Sequence, residues 1–264
     1  MYRLRPYQQQ AADVAVRYFK DRTTTANGIM VLPTGSGKSL VIADIAARLG
    51  APVLVFQPSK EILEQNYAKL CAYDILECAV YSASCNSKAI SRITFATIGS
   101  VKNHVEEFSH FRYVIVDECH MVNPKEGMYR DFFKAIRCKI IGLTATPYRL
   151  YSTRNGAVLR FITNTNPRVF SRLLFFVQIG YLFGQGYLAK LNYYRIPLID
   201  LSRLRRNSTG ADYTDDSVQR EYRRVSFNDG VLSIVRRLLR VNRRGILLFS
   251  RFVEEAQYIS DSLP

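Results

Sequence analysis

Residues 32–39, Leu-Pro-Thr-Gly-Ser-Gly-Lys-Ser, have the composition of a phosphate-binding loop. The glycines at positions 35 and 37 would let backbone N–H groups surround a phosphate at the positive end of the helix that follows. Lys38 would neutralise the β and γ phosphate oxygens of a nucleoside triphosphate, and Ser39 would offer its hydroxyl to Mg²⁺. The predicted phosphate-binding residues are Thr34, Gly35, Ser36, Gly37, Lys38 and Ser39.

A pair of carboxylates, Asp117 and Glu118, directly follows an apolar, β-branched run at residues 113–116. Such a run predicts a buried strand with the carboxylates at its carboxyl end. Asp117 would bind the Mg²⁺ through water, and Glu118 would orient and deprotonate the water that attacks the γ-phosphate. Either pattern alone could be an ordinary corner between a strand and a helix, but the two in this order predict a nucleoside triphosphatase.

The formal net charge of +15 indicates the kind of partner rather than the fold. Residues 151–264 contain 18 Lys and Arg against 9 Asp and Glu, whereas residues 1–150 contain 19 against 13. A basic balance of this kind favours binding to a polyanion, and nucleic acid is the first candidate. The alternative is a basic face that is only solvated.

The cysteines and the hydropathy predict a protein of a reduced compartment, with the cytoplasm as the default. The five cysteines form no C-x-x-C pair and have no histidine at zinc-ligand spacing, so we expect no structural metal. No apolar signal core follows Met1, and no run reaches the ~18 apolar residues of a membrane span. We therefore expect no membrane partner.

The remaining pattern alternates strands with helices. Helices are predicted over residues 4–22 and 61–69, and buried strands over residues 53–56, 78–81, 93–97, 113–116 and 140–143. This alternation indicates an α/β fold with a doubly wound parallel sheet, in which ligands bind at the carboxyl ends of the strands.

The order of the short motifs resembles the superfamily 2 helicases and translocases, P-loop NTPases with two RecA-like lobes. The matching segments are residues 4–8, 33–39, 56–59, 94–97, 117–120 (a DECH box of the DEAD/DEAH type) and 144–147. That superfamily as a rule lacks the first glycine of the general phosphate-loop pattern, where Leu32 stands here. The strings LRPYQQ, LPTGSGKSLVIA, VDECH and GLTATPYRL look most like the bacterial RadD-type helicases, with the motor subunits of type I and type III restriction enzymes as near relatives.

The resemblance implies further roles for individual residues. Gln8, helped by Arg5, would recognise adenine, because an amide matches the donor and acceptor of that base. Thr144 and Thr146 would link the triphosphate site to the nucleic-acid face. His120 would couple the DECH box to them or to the second lobe, unless it is only satisfied by local hydrogen bonds. The implied cofactors are ATP and Mg²⁺, the implied metal ligands are Ser39 and Asp117, and the implied catalytic residues are Lys38, Asp117, Glu118 and His120.

Nucleic-acid contacts are implied at the loops on the carboxyl edge of the sheet. Helicases of this superfamily bind the backbone of one nucleic-acid strand there, and such backbone contacts do not depend on the base sequence. The candidate residues are Ser59, Lys60, Thr97 and Ser100. The alternative for Ser59 and Ser100 is an N-cap of a helix, which either serine would form without a phosphate nearby.

The resemblance also divides the chain into residues 1–200 as the first RecA-like lobe, 201–229 as a basic, exposed connector, and 230–264 as the truncated beginning of a second RecA-like lobe. Residues 148–155 are predicted as a loop, and a final strand at 193–199 would close the first lobe. A helix at 230–240 and a buried strand at 245–250 would open the second. The chain contains no Gln-x-x-Gly-Arg-x-x-Arg string, so the arginine that this superfamily takes from its second lobe is absent, and we expect a nearly inactive fragment.

Three functions remain open at this point. The first is an ATP-dependent helicase or translocase that moves on DNA, in DNA repair. The second is the motor of a restriction enzyme, and the third is an ATP-gated module that clamps nucleic acid or remodels RNA. The predicted partner is nucleic acid, with DNA favoured over RNA.

Overall fold

A computed structural model describes residues 3–72, 77–153, 156–208, 210 and 212–263. The chain divides into two compact units, Met1–Tyr151 with Val158–Lys190, and Ser152–Ala157 with Leu191–Pro264. The larger part of the second unit is thus Leu191–Pro264. The division into lobes at residues 200 and 229 stays a prediction.

The first unit contains an eight-stranded sheet in the order β10-β1-β7-β6-β2-β5-β3-β4. Neighbouring strands are parallel except β3 and β4, which are antiparallel. The strands are β1 (Gly28–Val31), β2 (Val53–Phe56), β3 (Cys78–Ser82), β4 (Ser87–Lys88), β5 (Ile93–Ala96), β6 (Tyr113–Val116), β7 (Lys139–Thr144) and β10 (Arg172–Phe176), while β8 (Tyr148–Thr153) and β9 (Gly156–Phe161) form a separate two-stranded sheet.

Helices cover both faces of this sheet. They are α1 (Pro6–Lys20), α2 (Lys38–Leu49), α3 (Lys60–Cys71), α4 (Ile98–Val101), α5 (Met128–Ala135) and α6 (Ile179–Gly184). Because side chains alternate along a strand, Ile115 packs with α1, α2 and α3 in one apolar core, while Val114 and Val116 pack with Phe132 of α5 in the other. The predicted α/β fold with a doubly wound parallel sheet is confirmed.

The strand predictions failed where the pattern was weakest. β10 was not predicted, although it pairs with β1 at the edge of the sheet. Residues 148–153 form β8 instead of the predicted loop, since their polar residues belong to a hairpin strand paired with β9. The remaining residues of that predicted loop, 154 and 155, lie outside the described residues. The predicted strand at 193–199 is wrong, because this segment has no regular secondary structure and pairs with no strand among the described residues.

The second unit is helical in its described part, with α7 (Asp215–Arg224), α8 (Phe227–Arg240) and α9 (Val253–Asp261). The helix predicted at 230–240 is confirmed as most of α8. The predicted buried strand at 245–250 is wrong here, because its apolar residues are exposed, with Phe249 87% accessible. A strand needs a hydrogen-bonded neighbour, and no other strand is present among the described residues from 191 onward.

Candidate nucleotide-binding site

The phosphate loop lies between β1 and α2, where the sequence predicts it. Leu32 donates its backbone N–H to the carbonyl of Thr144, at 2.9 Å, which attaches the start of the loop to the end of β7. Gly35 (φ 79°) and Gly37 (φ 78°) both adopt the left-handed conformation, and Gly37 is the N-cap of α2. Only glycine adopts these angles without strain, so the two glycines are required by the backbone itself.

The loop is fastened by the first helix through one carbonyl oxygen. Tyr7 Oη and Gln8 Nε2 each donate to the Ser36 carbonyl at 2.7 Å, and Gln8 Oε1 accepts the backbone N–H of Arg5 at 2.8 Å. A Cβ at Gly37 would lie only 2.4 Å from Gln8 Nε2, so the helix approaches the loop as closely as glycine permits. Gln8 is 3% exposed and braces the loop, a role that the sequence did not reveal.

Arg5 lies beside this contact, with its guanidinium 4.2 Å from the centre of the Tyr187 ring. Tyr187 in turn packs on Tyr7, with ring centres 5.7 Å apart. The described structure thus gives Arg5 and Gln8 positions next to the loop, and recognition of adenine by these two residues stays a prediction.

The two carboxylates follow β6 and differ in their surroundings. Asp117 is 5% exposed, and its oxygens accept the N–H of Glu118 at 3.0 Å and the Asn66 amide at 3.4 Å. Burial, aided by the neighbouring charge of Glu118, raises the pKa of the Asp117 carboxyl to about 6. Glu118 has a φ of 48°, and its Oε1 lies 3.0 Å from Lys38 Nζ. This left-handed backbone turns the Glu118 side chain toward the phosphate loop.

The residues of the site fit a triphosphate and its Mg²⁺. The Ser36 hydroxyl is buried and has no hydrogen-bond partner among the described residues, which is costly unless a ligand supplies one. Lys38 forms an ion pair with Glu118, and a triphosphate would offer its charge a more negative partner. Ser39 is half-buried in the first turn of α2, and a hydroxyl with a carboxylate, Asp117, is the oxygen donor set that Mg²⁺ prefers.

His120 connects the carboxylates to the end of β7. Its Nδ1 lies 2.9 Å from Thr144 Oγ1, 3.3 Å from Thr146 Oγ1 and 3.3 Å from Glu118 Oε2. Thr144 Oγ1 also accepts the N–H of Thr146 at 3.0 Å. His120, Thr144 and Thr146, which the resemblance grouped as coupling residues, therefore lie in one polar cluster beside the proposed base.

The four predicted nucleic-acid contacts line one groove of about 790 Å³, formed by the loops after β2, β3, β5 and β6. Ser59 is the N-cap of α3, where its Oγ accepts the N–H of Ile62 at 3.4 Å, so the capping alternative holds for Ser59. Ser100 lies inside α4 rather than at its cap, accepts the N–H of Ala83 at 2.9 Å and lies 3.0 Å from Thr97 Oγ1. Lys60 also lines this groove.

The groove is not basic. Lys60, Glu61 and Glu126 are the charged residues that line it, so the chain's positive charge is concentrated elsewhere. A nucleic-acid backbone would meet hydroxyl and N–H donors here, together with the apolar side chains of Met121 and Met128, which are 58% and 42% exposed. The sequence did not reveal these methionines, because no local pattern marks an exposed methionine.

A buried amide pair joins the groove to the carboxylates and was also missed. Gln57, which lines the groove, accepts a hydrogen bond at 3.0 Å from Asn66 Nδ2, the same nitrogen that lies 3.4 Å from Asp117 Oδ2. Gln57 and Asn66 are 1% and 2% exposed. The α3 helix thus places one polar side chain between the two sites, and its sequence alone would suggest an ordinary amphipathic helix.

Comparison with known proteins places these motifs in a family. Residues 1–149 match the family described as "Type III restriction enzyme, res subunit". The chain belongs to this family. The match confirms the resemblance of its motifs to those of the superfamily 2 helicases.

Two relatives and one solved structure illustrate the extent of the likeness. A 51.5 kDa protein of a Lactococcus phage (isolate 7-9) is 25% identical over 229 residues, which cover 85% of this chain and 44% of the phage protein. The DNA 3'-5' translocase XPB2 of Sulfurisphaera tokodaii is 31% identical over 150 residues, or 55% of this chain and 31% of the translocase. The type ISP restriction-modification enzyme LlaGI, solved as a nuclease-deletion mutant with a DNA substrate mimic, gives a TM-score of 0.52 at 18% identity over 70% of this chain and 21% of LlaGI.

The extent of these matches limits what they establish. The structural likeness to LlaGI supports the RecA-like fold alone. The match spans less than half the length of the phage protein and of the translocase. Among the described residues, the helices are too short or too polar to cross a membrane.

Because Asp117 is buried and its pKa is raised, its ionisation opposes folding at neutral pH. Asp117→Asn should raise the free energy of unfolding of the nucleotide-free protein at pH 7.5 by roughly 1–3 kcal/mol. This gain in the free energy of unfolding should shrink as the pH falls from about 6 toward 4, because the Asp117 carboxyl of the folded protein is then protonated and its burial no longer destabilises the fold. Thermal unfolding at pH 7.5 and pH 4.5 measures both effects.

The matched control is Glu126→Gln, which removes one exposed carboxylate and should change the unfolding free energy by less than about 0.5 kcal/mol. Asp117→Asn should at the same time lose Mg²⁺-dependent ATP binding. An unfolding midpoint that is unchanged or lower for Asp117→Asn at pH 7.5 would contradict the assignment of a buried carboxylate whose ionisation opposes folding.

Proposed function

We propose that this chain is the ATP-binding part of a motor that hydrolyses ATP to move on DNA. The observation that supports this function best is the Lys38–Glu118 contact of 3.0 Å between the phosphate loop and the DECH box. It pairs the cation that would bind a triphosphate with the carboxylate that would activate water. The partner is nucleic acid, and the cofactors are ATP and Mg²⁺.

The residues would act in the following way when ATP binds. Ser39 and Asp117 would hold the Mg²⁺, which would supply charge neutralisation for the phosphates. Lys38 moves from Glu118 to the β and γ phosphate oxygens, because a triphosphate carries more negative charge than one carboxylate. Glu118, released from Lys38, orients the attacking water and accepts its proton. His120 remains beside Glu118 and fixes its position through Thr144 and Thr146.

Two chains of contacts lead away from this site, and the second of them would couple it to the groove. The first runs from Glu118 past the His120 ring to Thr144 and Thr146 at the end of β7. The second runs from Asp117 through Asn66 to Gln57 in the groove wall. Because Asn66 shares one amide group between Asp117 and Gln57, a change at the metal ligand alters the hydrogen bond that positions Gln57.

DNA is favoured over RNA because the relative XPB2 is named a DNA 3'-5' translocase. The second candidate function, the motor of a restriction enzyme, is favoured by the family match. A role in DNA repair rests only on the resemblance of the motifs to RadD-type helicases. The division into one complete lobe, a connector and the start of a second lobe is likewise part of this proposal.

Exchanging one lysine at each site tests both binding functions together. Lys38→Ala should abolish ATP·Mg binding, since the β and γ phosphates lose their lysine, and should leave binding of single-stranded DNA within about twofold. Lys60→Ala should leave ATP·Mg binding unchanged and weaken DNA binding, with a smaller salt dependence, because one phosphate contact is lost. Calorimetric titration and fluorescence anisotropy measure the two affinities, and wild-type-like ATP affinity in Lys38→Ala would refute the nucleotide site.

Turnover by this chain alone should be slow. The 264 residues contain no second-lobe arginine motif, and an arginine that stabilises the transition state is typically worth ~10³ or more in rate. A steady-state rate of ~1 s⁻¹ that Glu118→Gln abolishes would mean that an arginine within these residues completes the site.

A further inference from the structure

The second unit contains a pocket where the sequence suggests only a basic connector. Its volume is about 230 Å³, and it lies between α7 and the chain segment before that helix. The residues that line it are Arg203, Arg205, Ser217, Arg220, Glu221 and Arg224. Four guanidinium groups and one carboxylate thus surround a single concave space.

The periodicity of α7 explains half of this arrangement. Ser217, Arg220, Glu221 and Arg224 are spaced at i, i+3, i+4 and i+7, so they lie on one face of the helix. Ser217 and Glu221 are 4% and 3% exposed, which shows that this face is covered by other chain.

The covering chain is residues 200–206, which hydrogen bonds fasten along α7. Asp200 donates its N–H to Glu221 Oε1 at 3.0 Å, and Arg205 donates its N–H to Ser217 Oγ at 3.1 Å. The Thr214 N–H in turn reaches the Arg205 carbonyl at 2.8 Å. These hydrogen bonds fix the backbone positions of Arg203 and Arg205. The pocket is therefore a result of the fold and not only of the conformations of long, exposed side chains.

The single carboxylate of the pocket is already neutralised. Arg224 donates to both oxygens of Glu221, at 2.8 and 2.7 Å, and this pairing lowers the pKa of the Glu221 carboxyl to about 2. Glu221 therefore stays ionised and holds Arg224 through two hydrogen bonds.

The other three arginines are available to a ligand. The Arg205 guanidinium has no ion pair or hydrogen bond within the described part of the chain. Arg203 and Arg220 pair with Asp200 and Asp216, but their side chains are 60% and 59% exposed, and exposed ion pairs contribute little to stability. Both guanidinium groups can therefore turn to a stronger anion at small cost.

We propose that this pocket binds a phosphate group. The planar guanidinium group of arginine matches the geometry of phosphate oxygens, with which it forms two parallel hydrogen bonds. Several guanidinium groups around one space therefore bind a phosphate more tightly than a single charge pair would. The volume is below the roughly 300 Å³ of typical small-molecule pockets, so it suits one or two phosphates of a larger or extended molecule. The source is either the backbone of a nucleic-acid strand, which rests on the proposed function, or a free polyphosphate.

A double variant tests the site against a control of equal charge. Arg205→Gln with Arg220→Gln removes two pocket guanidiniums, whereas Arg237→Gln with Arg240→Gln removes two exposed arginines from α8, outside the pocket. In fluorescence anisotropy with a 20-nucleotide single-stranded DNA, the pocket variant should bind at least about 5-fold more weakly at 50 mM salt. Its salt slope should be smaller by about 1.4, as expected for two lost phosphate contacts on a single strand. The α8 variant should lose less than about twofold.

A second arm identifies the source of the phosphate. Sodium tripolyphosphate is titrated calorimetrically, without Mg²⁺, into protein that carries Lys38→Ala so that the phosphate loop does not contribute. A pocket-specific loss in the DNA arm assigns the site to a strand, and a pocket-specific loss only with tripolyphosphate assigns it to a free polyphosphate. If wild-type protein binds no DNA, the nucleic-acid part of the proposed function fails, while the tripolyphosphate arm still decides the pocket.

Equal losses by the two double variants, in both arms, would overturn the proposal, because only net charge would then matter. Arg205→Lys with Arg220→Lys retains the charge and removes the forks, so it should bind between the wild type and the Gln variant. Unfolding midpoints of all variants, compared with that of the wild type, separate lost binding from lost folding.

Discussion

Both candidate sites of the first unit depend on one constraint, the parallel direction of β1, β7, β6, β2, β5 and β3. Parallel neighbours end at the same edge of a sheet, so the loops that follow them must meet there. The phosphate loop and the DECH box follow β1 and β6, while the groove is built from the loops after β2, β3, β5 and β6. The DECH loop contributes to both, which is the geometric basis for coupling between them.

The electrostatic arrangement of the nucleotide site is that of a protein prepared for a ligand. Asp117 is held buried at a cost, as its raised pKa shows, and the Ser36 hydroxyl is buried without a partner. Lys38 and Glu118 neutralise each other across the loop. A bound triphosphate and Mg²⁺ would relieve the first two costs and separate the pair, so ligand binding and the release of the proposed base are one event.

Prediction from the sequence succeeded where a local sequence pattern determines the structure. Gly35, Gly37, Lys38 and the Asp117–Glu118 pair have fixed spacing from apolar strands. The structure places Lys38 Nζ 3.0 Å from Glu118 Oε1 and Gly37 at the N-cap of α2. Prediction failed where tertiary contacts decide. Gln8 braces the phosphate loop and Asn66 joins two sites, and neither contact follows from neighbouring residues.

The apolar run at 245–250 is a second case in which tertiary contacts decide. Its composition is that of a strand, but whether it forms one depends on the presence of a neighbouring strand. The arginines of residues 203–224 form a pocket only because α7 and the segment before it are fastened together by backbone hydrogen bonds. From charge alone, those arginines were indistinguishable from a solvated connector.

The most direct test of the central claim is a crystal structure of this protein with Mg²⁺ and a non-hydrolysable ATP analogue. The account predicts that Lys38 Nζ contacts the β and γ phosphate oxygens, that Glu118 is no longer within hydrogen-bond distance of Lys38, and that His120 still contacts Glu118. A nucleotide bound at this loop with the Lys38–Glu118 contact intact, or a nucleotide bound away from the loop, would contradict it.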